Sequence, residues 1–331
     1  MHRAATSSAA RAATAVPAIP TAIEPRGILH ELPLILLAVP VLTVSALLPS
    51  GADWLVALTA LILFGVPHGA LDGEIARGVL QPRFNRTWFA IFSLPYLSLS
   101  ALVLVAWHLA PGIILAAFLA ASVWHFGSED AGESDPSESR CLVMLVTGGL
   151  PIALPLLLQP TATNGVLATI AATPIPDIAE WLLIASTIWL GFAIIWTVIE
   201  LSRGKGHTLL IPAAFLGFFA TLPPLTAFTI YFVCIHAQAH TCALIRNPVR
   251  APRVHDVRSA TRLAVPITIL TILIGLLLWP IYSGPPSARL LTLTLQGLAA
   301  LTLPHMLLDL WMTRYERKAL VPTYRSCIEA S

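Results

Sequence analysis

The stretch TAFTIYFVCIHAQAHTCAL, residues 226–244, is apolar enough to cross a membrane, yet it carries two histidines one helical turn apart, His236 and His240. Its length matches the ~20 residues that span the hydrocarbon core of a bilayer. The whole chain shares this character, since 56% of its 331 residues are hydrophobic and 11% are charged. A soluble domain carries about 25% charged residues. The composition therefore predicts an all-α, polytopic membrane helix bundle.

Apolar runs of similar length recur along the chain and predict about ten transmembrane helices. They cover residues 33–49, 54–71, 88–108, 111–127, 141–159, 180–199, 208–222, 225–245, 263–282 and 288–311. Residues 1–28 are rich in Ala, Ser and Pro, and we interpret them as a disordered tail. Residues 29–313 then form one membrane domain, and residues 314–331 form a C-terminal tail.

In this ten-span topology, almost all basic residues lie on one side of the membrane. Every Lys and Arg except Arg289 falls in a segment on the same side as the N-terminus. Because Lys and Arg are retained in cytoplasmic loops, we expect both termini and both tails to be cytoplasmic. The protein is thus expected to be a multi-pass protein of the cell (plasma) membrane, with the lipid bilayer around it. Its net charge of +2 gives no reason to expect a nucleic-acid partner.

Five of the ten histidines fall inside predicted spans: His68, His125, His236, His240 and His305. All five lie on even-numbered spans, towards the cytoplasmic helix ends, within one half of a ~30 Å core. Ionisable groups inside a membrane are costly and usually functional. Each histidine, taken alone, could be a hydrogen-bonded core residue that ties two helices together. Such residues would have no reason to share one depth, so we predict a common site.

The spacing of these histidines fits a metal ion. Residues four apart share a helix face, so His236 and His240 can bind one ion together. Each of the other three histidines is followed at that spacing by an acid: Asp72, Glu129 or Asp309. Such an acid, or one from a neighbouring helix, can hold the other ring nitrogen of a metal-bound imidazole. For Glu129 the alternative is a helix end that faces water. Imidazole is a suitable ligand for Zn, Cu, Fe and Ni, so the spacing does not identify the metal.

Other classes of protein use membrane histidines as well. A histidine-lined metal or proton transporter could use them as a relay, but it would need charged groups through the full membrane depth. A di-iron desaturase or hydroxylase usually needs more histidines than the five found in these spans. A haem protein could use pairs of histidines across helices.

Four short elements resemble the Brp/Blh family of membrane β-carotene 15,15'-dioxygenases. They are PHGALD (67–72), WHFGSED (124–130), HAQAH (236–240) and PHMLLDLW (304–311), in the order of the family. The resemblance implies that the membrane domain is catalytic. The implied reaction is cleavage of the central 15,15' double bond of β-carotene, or of a related carotenoid, with O₂ to give two molecules of retinal.

The resemblance also implies an iron centre. Carried over by motif, the ligands of Fe(II) would be four histidines: His68, His125, His236 and His240. Two positions would remain for O₂ and the polyene, and no organic cofactor is implied. Four further residues are candidates for holding these ligands in place or for lining the substrate path: His305, Asp72, Glu129 and Asp309. Because the family makes retinal for rhodopsins, a rhodopsin is the candidate acceptor of the product.

Overall fold

The structure, a computed structural model, describes residues 53–130 and 139–328, and every regular element within them is helical. The α-helices are α1 Asp53–Ala60, α2 Asp72–Phe84, α3 Trp88–Leu109, α4 Pro111–Asp130, α5 Arg140–Leu158, α6 Pro160–Ala171, α7 Pro176–Ser202, α8 Leu210–Thr221, α9 Pro224–Tyr231, α10 Gln238–Arg246, α11 Val257–Leu278 and α12 Pro286–Ile328. The first π segment (Leu61–Gly65) and a short helical turn (Val66–Gly69) follow α1, and the second π segment (Phe232–Ala237) joins α9 to α10. The prediction of an all-α fold is confirmed for these residues.

Seven helical segments within the described residues are long and apolar enough to cross a membrane. They are Asp53–Leu109, Pro111–Glu129, Arg140–Leu158, Ile178–Ser202, Pro224–Arg246, Val257–Ile281 and Pro286–Glu316. The chain is therefore a multi-pass membrane protein. The first predicted span, residues 33–49, and the N-terminal tail lie outside the described residues. The count of ten spans and the cytoplasmic placement of both termini stay predictions.

Several helices differ from the predicted spans in length or position. The second and third predicted spans belong to one segment, Asp53–Leu109, because the residues between them form α2 instead of a loop. The seventh predicted span is the shorter apolar helix Gly206–Thr221. Helix α6 was not predicted, because its residues PTATNG lack a long apolar run. The last helix continues to Ile328, beyond the predicted end of the membrane domain.

The outer surface of the bundle is apolar. Large side chains on three helices are largely exposed, including Trp181 and Val198 on α7, Leu277 on α11 and Leu94 on α3. A soluble monomer rarely exposes apolar patches of this extent. We interpret these faces as the surface that contacts lipid, which places the polar residues of the spans inside the bundle.

Helices α4 and α5 approach each other closely through two glycines. A Cβ atom on Gly127 would lie 2.1 Å from the carbonyl oxygen of Met144, and one on Gly148 would lie 2.0 Å from the carbonyl oxygen of Val123. In lipid, helices associate mainly through van der Waals packing, and small residues let their backbones meet. This contact fixes the position of α4, which carries two of the predicted site residues.

Candidate metal centre

The five membrane histidines meet in one buried cluster, which we call the histidine cluster: His68, His125, His236, His240 and His305. Their exposed fractions range from 0% to 9%. Six pairs of their rings have centroids between 4.8 and 5.7 Å apart. The cluster draws on helices from both ends of the described chain, so only the assembled bundle can form it.

Two irregular stretches of backbone present three of these histidines. His68 lies on the short turn after the first π segment, His236 lies within the second π segment, and His240 follows on α10. Single π-helical turns are rare and occur often at functional sites. Pro67 has no N–H to continue the helical hydrogen bonding of the first π segment, and the helix breaks between Gly69 and Asp72.

Two of the imidazoles are held at Nδ1 by a nearby oxygen. Nδ1 of His68 lies against the carbonyl oxygen of Gly65. Nδ1 of His240 lies 3.3 Å from Oε1 of Glu129. An imidazole that donates its Nδ1 proton keeps the lone pair of Nε2 for a metal, and metal-bound histidines typically have such a partner.

Asp72 holds the imidazole of His305 in the same way. Nδ1 of His305 lies 2.8 Å from Oδ1 and 2.9 Å from Oδ2 of the carboxylate. The hydroxyl of Tyr96 donates to Oδ2 at 2.8 Å. Asp72 follows His68 by four residues, but the break before α2 turns the carboxylate to a histidine on another helix. Spacing alone could not have identified this partner.

The Nε2 atoms of four of these histidines are buried within the cluster. Those of His125 and His236 are 3.2 Å apart. Those of His240 and His305 are buried and make no hydrogen bond, which is uncommon for a buried polar atom. Two imidazole nitrogens bound at about 2.1 Å to one ion lie roughly 3.0–3.4 Å apart. The residues present therefore fit a divalent transition metal.

Possible ligand atoms fall into two neighbouring sets, each within 4.8 Å. One set contains Asp72, His240 and His305, and the other contains His125, Glu129 and His236. Ring contacts join the sets, since the rings of His125 and His305 are 5.1 Å apart. Glu129 belongs to the second set and also contacts the first, because Oε1 faces His240 while Oε2 lies 3.7 Å from Nε2 of His236. Its carboxylate faces the histidine cluster, not water.

Asp309 is the one predicted site residue that the structure does not bring to the histidine cluster. Its carboxylate pairs with the guanidinium of Arg250, from the segment that follows α10. The acid four residues after His305 thus joins the interior of α12 to a loop. Spacing along α12 could not show this, because the cation comes from a distant segment.

Aromatic rings close the histidine cluster on one side. The ring of Phe126 lies 4.7 Å from that of His236, and the ring of Phe232 lies 5.3 Å from that of His68. Both phenylalanines are buried and shield the imidazoles from water. Sequence reasoning missed Tyr96, although a tyrosine in an apolar run signals a buried hydroxyl that needs a partner.

Comparisons with known proteins give a consistent result. The family model described as "Beta-carotene 15,15'-dioxygenase" matches residues 59–313, which include the whole histidine cluster. The chain is 27% identical over 315 residues to the "Probable beta-carotene 15,15'-dioxygenase Blh" of Halobacterium salinarum, covering 84% of this chain and 89% of that relative. It is 28% identical over 261 residues to the "Beta-carotene 15,15'-dioxygenase" of uncultured marine bacterium 66A03, covering 77% and 92%. No solved structure matches the chain. Because the family model covers most of the chain, the protein belongs to the β-carotene 15,15'-dioxygenase family, as its motifs predicted, and is a carotenoid-cleaving dioxygenase.

Proposed function

We propose that this protein cleaves the central 15,15' double bond of β-carotene, or of a closely related carotenoid, at an Fe(II) centre. In this reaction the C15=C15' bond and the O–O bond of O₂ both break. Each carbon receives one oxygen atom, so that two molecules of retinal form. The observation that carries the proposal is a buried cluster of imidazoles, in a member of this family, with ring nitrogens oriented for a metal.

Four neutral histidines would hold the metal: His68, His125, His236 and His240. They add no charge of their own and leave coordination positions for O₂ and substrate. Bound Fe(II) would supply the activation of O₂. Gly65 and Glu129 orient two of the rings through Nδ1. The surrounding apolar residues exclude water, which would otherwise compete for the open positions.

An apolar cavity beside the histidine cluster is the proposed position of one arm of the polyene. This polyene cavity has a volume of about 110 Å³ and lies between α4, α5, α6, α9 and α12. Phe126 and Phe228 line it, and Phe126 also contacts His236. Along α4 the lining extends from Phe126 to Phe118, a length of ~12 Å at 1.5 Å per residue. The cavity thus leads directly away from the proposed metal.

The lining of the polyene cavity offers no free hydroxyl donor among the residues described. Ser122 donates to the carbonyl of Phe118, and Thr163 donates to that of Pro155, both at 2.8 Å. The oxygen of a hydroxylated carotenoid ring would therefore find no donor here and would lose that hydrogen bond on entering, at a cost of about 1–3 kcal/mol. A hydrocarbon end, such as that of β-carotene, would enter without this cost.

Filling the polyene cavity should impair cleavage without disturbing the metal. We expect Val166→Phe, which adds volume to the lining, to lower kcat/KM for β-carotene about tenfold or more, since pocket contacts of this size are worth ~1–3 kcal/mol. Metal content should stay unchanged. The matched control is Val198→Phe, at a side chain that is 60% exposed on the outer surface. Equal kcat/KM for both variants would argue against the cavity as the substrate site.

Product analysis tests the proposed reaction directly. Purified protein loaded with Fe(II) should convert β-carotene to retinal, detected by chromatography, and ¹⁸O₂ should label both aldehydes when exchange with water is controlled. Protein without metal should form no retinal. Iron-loaded protein that forms no retinal would contradict the proposal. If such protein instead carried ions across liposome membranes, it would support the alternative of a histidine-lined metal or proton transporter.

A further inference from the structure

We propose that His305 is a fifth imidazole ligand of the metal centre and that Asp72 and Tyr96 hold it in position. The inference rests on the metal centre of the proposed function. It adds a histidine to the four that the motifs indicate, and it gives the buried acid of PHGALD a defined task.

The position of His305 is that of a ligand within the histidine cluster. Its ring centroid lies 5.1 Å from those of His125 and His240 and 5.4 Å from that of His68. These separations match those between the four motif histidines. A histidine outside the coordination sphere would contact one ligand, on the side that faces away from the metal. His305 instead contacts three of the proposed ligands.

The two nitrogens of His305 have different surroundings. Nδ1 faces both carboxylate oxygens of Asp72, which is 2% exposed, so the proton resides on that side. Nε2 is buried and has no hydrogen-bond partner. A histidine that only joins helices would be expected to use both nitrogens, because an unpaired buried polar atom is costly. The geometry leaves the lone pair of Nε2 for a metal.

Tyr96 fixes this arrangement from a third helix. Its hydroxyl lies 2.8 Å from Oδ2 of Asp72 and 3.3 Å from the carbonyl oxygen of Leu301, one turn before His305 on α12. Helices α2, α3 and α12 therefore meet at a single carboxylate. With the imidazole held in one rotamer, Nε2 keeps its direction when the metal is absent.

A fifth nitrogen would change what the metal can accept. A fifth imidazole would leave fewer positions open on the ion than four imidazoles would. O₂ would need only one of them, and the polyene would then be bound by apolar contacts beside the metal. Substrate recognition would reside in the polyene cavity and not in the coordination sphere.

Metal affinity and coordination geometry test this assignment. The full-length protein in detergent would be loaded with Co(II) as a spectroscopic probe, and affinity would be measured by chelator competition. We expect Asp72→Asn to weaken Co(II) binding about 10–100-fold, and His305→Ala to weaken it at least as much. The visible Co(II) bands of His305→Ala should intensify, because they strengthen as the coordination number falls. Added imidazole should reverse this change in His305→Gly.

Two variants separate a ligand from a packing residue. Tyr96→Phe removes only the hydroxyl and should weaken Co(II) binding several-fold. Gln296→Leu, on the same helix α12, removes the buried hydrogen bond that the side-chain amide of Gln296 donates to the carbonyl of Ile170. This variant should leave the Co(II) affinity and the Co(II) spectrum unchanged. If His305→Ala does not fold, His305→Gln is judged by the same two measurements.

Wild-type affinity and an unchanged Co(II) spectrum in His305→Ala or His305→Gln would overturn the assignment, even if thermal stability fell. This outcome is distinguishable from failure of the proposed function. If the wild-type protein cleaves β-carotene and the variants keep the wild-type Co(II) spectrum, only the assignment of the fifth ligand is refuted. If the variants lose the spectral signature of a ligand but the iron-loaded wild-type protein forms no retinal, only the proposed reaction is refuted.

Discussion

Replacing His236 or His240 with Ala should abolish both metal binding and carotenoid cleavage. Each substitution removes an imidazole from the centre of the buried histidine cluster. Loss of an outer hydrogen-bonding partner alone weakens metal binding about 10–100-fold, so loss of a ligand should cost more than ~100-fold. Metal per chain, measured by mass spectrometry, and retinal, measured by chromatography, should fall together. The same result is expected for His68 and His125.

Exposed histidines provide the control for this prediction. His108, at the end of α3, and His207, before α8, are both exposed. His108→Ala and His207→Ala should therefore keep wild-type metal content and turnover. Full activity after removal of any two of the four motif histidines would refute the metal centre as described.

Gly127→Ala should separate α4 from α5 and thereby dismantle the histidine cluster. The added Cβ would lie 2.1 Å from the carbonyl oxygen of Met144, which backbone atoms cannot accommodate without moving. Overpacking of this kind costs about 1–3 kcal/mol and sometimes more, and the displaced helix carries His125 and Glu129. We expect a lower Tm in detergent, metal content well below one per chain, and cleavage reduced at least about tenfold. Gly148→Ala should behave in the same way.

Other helical glycines separate this effect from the general effect of adding a methyl group. A Cβ atom on Gly217 or Gly275 would meet nothing within 4 Å. Gly217→Ala and Gly275→Ala should leave metal content unchanged and raise stability by up to ~1 kcal/mol through helix propensity. A Gly127→Ala protein with the Tm and metal content of the wild type would show that α4 and α5 do not meet as described.

The sequence was informative about the helices and about which histidines lie near one another. The lengths of the apolar runs and the placement of charges predict one membrane depth for His68, His125 and His305. Residues on different helices can form one site only if they lie at the same depth. It was less informative about partners across helices. Asp72 was expected to support a ligand, but only the tertiary structure shows that its carboxylate faces His305.

Two features had little or no local signal. The π segments arise where a helix takes an extra residue per turn. The residues LILFG and FVCIHA do not predict such a turn, and only the first segment has a nearby signal, Pro67. Asp309 has the same spacing from a histidine as Glu129, yet it pairs with Arg250. Contacts between segments far apart in sequence decide such cases, and spacing along one helix cannot resolve them.

The closeness of His68 to His305 has a consequence for biosynthesis. Their rings are 5.4 Å apart, although His68 is translated long before His305. A centre of five imidazoles would therefore be complete only after α12 has been inserted, and a bound metal ion would then hold together two helices that enter the membrane at different times.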